Sequence, residues 1–266
     1  MSVATRQGMF GGVRIKVEPR LQAPRWLAAA VSLGAVAVSL FIGGVVLQLV
    51  GGNAFAAYAH IARNAFGSVG VFSDTLVKAT PLLIIGLALT VAFRMKLWNI
   101  GAEGQFFMGA FGASLVVLGG IVPPTAPRWL MLLVMMIFGA AAGGLWGFIP
   151  GYLKAKLRVN EIITTLMLNY IAISWNNFFI FGVWSESGFQ MSPVFPKNAW
   201  LPRLADYARQ VPLFRGLTVH MGLFLGVALA ALVWYILYRS RWGYEIRLIG
   251  DNPRAAEYAG LSIVRN

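Results

Sequence analysis

The chain contains no cysteine, which excludes a disulfide framework, a thiol nucleophile and a thiolate-held metal. Histidine is nearly absent. His60 and His220 stand far apart, without the spacing of a ligand pair, so the sequence offers no metal site. Acids are scarce too, with nine Asp and Glu in 266 residues. So few carboxylates beside two isolated histidines argue against an intramembrane enzyme, which needs a clustered dyad or metal. No Gly-x-x-x-x-Gly-Lys-Ser/Thr phosphate loop occurs anywhere. Charge of either sign makes up only 12% of the chain, while 58% is apolar. Soluble domains carry roughly 25% charge. The shift is what solution in hydrocarbon requires, because each charge at the bilayer centre costs several kcal/mol.

Long apolar runs supply the architecture. A spanning helix needs about 20 apolar residues, and six segments are candidates: 26–50, 71–93, 106–121, 129–149, 162–184 and 217–238. The expected fold is therefore all-α, a polytopic transmembrane helical bundle. The apolar run of the first segment exceeds a signal-peptide core, so it reads as a retained anchor. The balance of +13 would suggest nucleic acid in a soluble protein. Here the basic residues are scattered by loop. Arg6, Arg14, Lys16, Arg20, Arg25, Arg94, Lys96, Lys154, Lys156, Arg158, Arg239, Arg241, Arg247, Arg254 and Arg265 fall on one side of the six segments. Arg63, Arg128, Lys197, Arg203, Arg209 and Arg215 fall on the other. This bias places both ends of the chain in the cytoplasm, with 1–25 as a cytoplasmic segment and 239–266 as a cytoplasmic loop. It argues against nucleic acid and makes the lipid bilayer the expected partner. The proline-punctuated segment 185–216 is the one long external loop, either a lid or docking surface or a plain connector.

Four places carry polar chemistry. Asp74 and Lys78 stand four apart in the second segment, where they can pair. Pro81 follows and is expected to kink the helix. In Asn99-Ile100-Gly101-Ala102-Glu103-Gly104-Gln105, two glycines three apart read as a helix break. Polar backbone at membrane depth survives if it lines a cavity or is buried in protein. A cytoplasmic turn is the plainer alternative, but Glu103 abuts an apolar run, which favours the cavity. In the fifth segment Glu161, Thr165, Asn169 and Asn176 share one helical face with Ala172. Interhelical hydrogen bonding explains that face. So does a polar solute held by amides, with Tyr170 and Trp175 for stacking. Finally, Asn252 suits an N-cap, Pro253 a first helical position and Gly260 a C-terminal stop. They spell a helix over 253–259 that is too short to stand alone and wants a partner's groove.

Three stretches in this order, Trp98–Gln105, Asn160–Tyr170 and Gly250–Gly260, resemble the permease subunits of bacterial ABC importers. The branch is the simple-sugar and nucleoside type, related to ribose and branched-chain amino acid permeases. Asn-Ile-Gly-x-Glu-Gly-Gln is closer to the nucleoside-type members. The resemblance covers about 71–263. It implies a type II importer fold in the bacterial inner membrane and import by alternating access of a nucleoside or related small polar solute such as a simple sugar. It further implies a second permease copy or paralogue, two cytoplasmic ABC ATPase subunits, and an extracytoplasmic substrate-binding protein or lipoprotein. Helix 253–259 becomes a coupling helix, with Asn252, Pro253, Arg254, Ala255, Ala256, Glu257 and Gly260 docking on the ATPase. ATP and Mg are then expected on that partner, with no cofactor on this chain. Asn99, Glu103, Gln105, Asn169, Trp175 and Asn176 are the expected path residues. Family members continue with further spans, so this chain is expected to be truncated at its C-terminus. An autonomous ion- or proton-coupled carrier, with Glu103 and the Asp74–Lys78 pair as relay, is the competing expectation.

Overall fold

The computed structural model describes residues 8–10, 13–15, 24–186 and 188–261. Most of the expected cytoplasmic segment 1–25, and Arg265, lie outside the described residues. The described residues divide into two compact units, Met1–Ala65 and Phe66–Asn266.

In the first unit, strands β1 (Gly8–Phe10) and β2 (Val13–Ile15) form a small antiparallel hairpin. Helix α1 (Arg25–Leu49) follows. Helix α2 (Ala54–Phe66) begins where a search for long apolar runs finds only a connector. Alanine explains it: the best helix former recurs throughout the segment. Tyr58 ties the two helices together. Its hydroxyl donates to the Leu40 carbonyl at 2.6 Å, and its ring lies over Gly43 and Gly44, where a larger residue would intrude.

The second unit holds α3 (Val69–Arg94), α4 (Ala102–Leu118), α5 (Arg128–Leu157), α6 (Glu161–Phe178), α7 (Met221–Arg239), α8 (Arg241–Asp251) and α9 (Pro253–Tyr258). Five helical segments are long and apolar enough to cross a membrane: Ala29–Leu49, Val69–Arg94, Arg128–Leu157, Glu161–Val183 and Met221–Arg239. Helix α4 is shorter, at 17 residues, or about 26 Å. The protein is a polytopic helical membrane protein.

Two prolines do not stop their helices. Helix α3 continues through Pro81, and α5 runs through buried Pro150 to Leu157, so Lys154 and Lys156 lie on its last turn rather than in a loop. Neighbouring groups in a membrane bundle accommodate what a proline frees. Helix α5 packs on α4 through Gly139, Gly143 and Gly147. A Cβ on Gly139 would sit 3.1 Å from the Gly109 carbonyl, and one on Gly143 3.0 Å from that of Gln105. Small residues let the backbones meet, and dispersion replaces the missing hydrophobic drive.

Helix α7 lies on α3. Its entry is pinned by Thr218, whose hydroxyl donates to Asp74 Oδ1 at 2.6 Å, and by Ser73, which accepts the Val219 N–H at 2.9 Å. Asp74 is thus engaged by Thr218. Among the described residues it forms no ion pair with Lys78, contrary to the expected pairing. The 185–216 loop carries three short 3-10 turns. Asn198 anchors it by donating to the carbonyls of Pro124 and Ala126. Below lies a small core of Val116, Val122, Met131 and Ala199.

The loop ends at His220, the N-cap of α7, whose Nδ1 accepts the Gly222 N–H at 3.1 Å. Burial, and secondly the Arg203 charge, hold its pKa below 6.5. The cap requires neutral imidazole. A depressed pKa means that this stabilisation is complete above 6.5 and is lost as pH falls below it. Thermal melts of the purified chain at neutral pH and about pH 5 should show an acid loss. His220→Asn, which caps at any pH, should reduce it, the difference reaching about 1 kcal/mol. An equal acid loss in both proteins would exclude this role.

Candidate functional site

The motif around Gly101 is a joint between the start of α4 and the face of α6. Gly101 is the N-cap of α4, so Glu103, Gly104 and Gln105 form its first turn and no helix break separates them. The Asn99 carbonyl oxygen of the side-chain amide accepts the Gly101 N–H at 3.0 Å. Asn99 and Gln105 then exchange amide hydrogen bonds, each 3.2 Å. Both glycines are required by contact. A Cβ on Gly101 would lie 2.9 Å from the Thr165 Cβ, and one on Gly104 would lie 2.7 Å from Asn169 Oδ1.

The polar face of α6 turns into this joint. Asn169 Oδ1 accepts the Gly104 N–H at 2.7 Å, while its Nδ2 donates to the Ile100 carbonyl at 2.9 Å. One side chain therefore satisfies both a free N–H of the first turn and the carbonyl before it. Asn176 repeats the pattern higher up, donating to Phe107 O at 3.3 Å and Ala172 O at 2.9 Å. Asn169 is 6% exposed and Asn176 5%. Thr165 and Ala172 are buried on the same face. At the base, Asn160 caps α6. Lys154 Nζ donates to Glu161 Oε2 at 2.6 Å, joining α5 to α6.

The structure thus brings Asn99, Gln105, Asn169 and Asn176 into one interhelical network. It leaves Glu103 and Trp175 outside it. Glu103 is exposed and, among the described residues, has no ion-pair partner. Trp175 is 46% exposed and meets Phe111 edge-on at 5.8 Å. With Tyr170, Ile171, Ser174 and Phe178 it lines an open groove of about 560 Å³ on the outer side of α6. Ser174 escaped the sequence reading because it lies off the polar face, yet its spacing from Tyr170 and Phe178 put all three on one stripe.

The other region is the α7–α8–α9 corner. Ser240 turns the chain, accepting the Gly243 N–H at 3.0 Å and donating to Ile236 O at 2.6 Å. Helix α8 folds back beneath α3 and α7 with Glu245, Ile246 and Ile249 buried. Its two glycines touch backbone, Gly243 against the carbonyls of Ile236 and Leu237 and Gly250 against that of Arg94. Helix α9 follows after one residue. Asn252 Oδ1 accepts the Ala255 N–H at 3.1 Å, Pro253 opens the helix and Gly260 leaves it at φ +79°. The helix ends at Tyr258, one residue before the expected Ala259. Ala256 is fully buried, while Arg254 and Glu257 are exposed and Tyr258 is 94% exposed. Ala256 therefore anchors α9, and its outward face is Arg254, Glu257 and Tyr258. Tyr258 was missed because the sequence signal lay in the caps.

A family model described as branched-chain amino acid transport system / permease component matches residues 71–265, and the chain belongs to that family. It is 33% identical over 240 residues to the guanosine ABC transporter permease of Bacillus subtilis, covering 89% of this chain and 65% of that protein. It is 33% identical over 255 residues to the glucose ABC transporter permease of Haloferax volcanii, covering 94% and 66%. It is 30% identical over 245 residues to the nucleoside ABC transporter permease of Lactococcus lactis, covering 88% and 64%. The chain thus spans just under two thirds of the length of these curated relatives. No solved structure matches it.

Proposed function

We propose that this chain is a membrane-spanning subunit of an ATP-driven importer for nucleosides or a related small polar solute such as a simple sugar. The observation that carries this reading is the α8–α9 corner: the outward-facing capped helix α9 follows directly on α8, which is fastened, backbone to backbone, to the ends of two apolar helices through Gly243 and Gly250. Such a part transmits a push received from outside the bundle. The names of the relatives supply the solute classes, guanosine and other nucleosides on one hand and glucose on the other.

In this reading α9 docks in a groove of a cytoplasmic ABC ATPase, which binds ATP and Mg. Both chain ends face the cytoplasm. A second permease, identical or paralogous, completes the path, and an extracytoplasmic binding protein or lipoprotein delivers the solute. Closure of the ATPases displaces α9, and α8 passes the movement to α3 and α7, giving alternating access. Asn99, Gln105, Asn169 and Asn176 hold α4 against α6 beside the path. Glu103 and Trp175, whose surfaces are open, are the groups free to meet the solute, with Trp175 stacking on a ring.

Tyr258→Ala should break the docking. An exposed aromatic at the centre of such an interface is worth ~2 kcal/mol, or roughly a 30-fold loss of affinity. The check is co-purification of this chain with a co-expressed ABC ATPase subunit, followed by ATP-dependent uptake of labelled guanosine and glucose. Undiminished ATPase binding by Tyr258→Ala combined with Arg254→Glu would remove α9 as the docking element.

A further inference from the structure

The ends of α3 and α7 and the middle of α8 converge on one tyrosine. Arg94 Nη2 donates to the Tyr238 hydroxyl at 2.6 Å, and its guanidinium lies 5.6 Å from the Tyr238 ring centroid. The Arg247 guanidinium lies 5.8 Å from the same centroid. Two cations thus share one ring, and among the described residues neither has a carboxylate within 4.0 Å. Arg247 Nη1 is shut in without any hydrogen-bond acceptor, so its charge is not neutralised from inside the protein. Nη1 itself is out of reach of solvent, but Arg94 and Tyr238 are exposed and Arg247 is half-buried, so an anion approaching from the open side can meet the remaining atoms of this group. The Tyr238 oxygen accepts from Arg94, which leaves its O–H free to donate outward.

The surroundings indicate where this site sits. Trp234 lies 6.5 Å from the Tyr238 ring, and Tyr235, Trp242 and Tyr244 on the same two helices are exposed, aromatic side chains of the kind that settle at headgroup level. Arg239 adds a third cation, stacked 5.8 Å from the Trp234 centroid. Guanidinium forks match phosphate oxygens in shape and charge, and basic pockets between helices at the membrane surface take anionic headgroups.

We propose that Arg94, Tyr238 and Arg247 form a binding site for an anionic phosphate group at the membrane boundary, supplied by a phospholipid headgroup or by free phosphate. Because Arg94 ends α3 and Arg247 lies on α8, a phosphate bridging them fastens the corner that carries α9. This site does not depend on the transported solute.

The test uses the full-length chain purified in a neutral detergent. Thermal unfolding is followed during titration with phosphatidylglycerol, phosphatidylcholine or sodium phosphate. The expected result is a saturable stabilisation by phosphatidylglycerol that phosphatidylcholine does not reproduce, weakened roughly tenfold or more in Arg94→Gln and in Arg247→Gln. Tyr238→Phe, which keeps the ring and removes the donor, should weaken it less, and Arg209→Gln in the distant loop should not affect it. Stabilisation by sodium phosphate with the same variant pattern assigns the site to the free anion. If Arg247→Gln does not fold, the exposed Arg94→Gln decides alone. A phosphatidylglycerol response unchanged in Arg94→Gln, or no response to either anion, overturns the proposal.

Discussion

Gly250→Ala should abolish transport while leaving ATPase binding intact. A methyl at this position overlaps the Arg94 carbonyl oxygen and comes 3.1 Å from the Met95 Cα. Both obstacles are backbone, so no rotamer change relieves them, and α8 must move away from α3. Overpacking of this kind costs about 3 kcal/mol. The outward face of α9 is untouched, because Arg254, Glu257 and Tyr258 lie beyond the clamp. The variant should therefore co-purify with the ATPase at the normal ratio yet show no ATP-dependent uptake, whereas Tyr258→Ala should lose the ATPase itself. Gly243→Ala, which overlaps the Ile236 carbonyl, should behave alike. Wild-type uptake by both variants would show that force does not pass through α8.

Asn169→Leu has the second large effect, and its form separates two roles. The substitution removes the side-chain partner of both the Gly104 N–H and the Ile100 carbonyl. Unsatisfied buried groups cost ~1–3 kcal/mol each, and membrane bundles recover part of that, so a loss of about 2 kcal/mol is expected. If Asn169 fastens α4 to α6, the yield of folded protein falls while the molecules that remain keep their KM for the solute. A direct solute contact gives the opposite, a raised KM at normal yield. Trp175→Ala provides the contrast. Its ring is half exposed at the groove, so it should raise KM with little change in yield.

The apolar runs and the caps were legible in the chain alone. Asn252, Pro253 and Gly260 announce a helix because each acts on its own backbone, and the structure forms α9 between them. The polar face of α6 was legible as a face, since Thr165, Asn169 and Asn176 repeat at helical spacing. Its direction was not. That depends on α4 beginning at Ala102, so that its first free N–H groups meet Asn169, a tertiary fact absent from either segment's periodicity. The glycines of the motif suggested a break because glycine weakens helices locally. Here they serve close approach to Thr165 and Asn169. Helix α8 was hidden by its charge, which reads as a tail. Gly243 and Gly250 stand seven apart, two turns on one face, and that spacing was the available sign of a helix laid against backbone.

The central claim is that α9 meets the ATPase. A chain without cysteine allows a clean test, since Tyr258→Cys introduces a unique thiol on the outward face of α9. Leu213→Cys places one in the exposed loop beyond the other end of α7, about 28 Å of helix away. Each variant, co-expressed with the ABC ATPase subunit of the co-purification experiment, is treated in membranes with a short bifunctional cross-linker. The account predicts a permease–ATPase adduct from the Tyr258→Cys variant, altered in yield by ATP, and none from the Leu213→Cys variant. No adduct from Tyr258→Cys, or equal adducts from both variants, would contradict it.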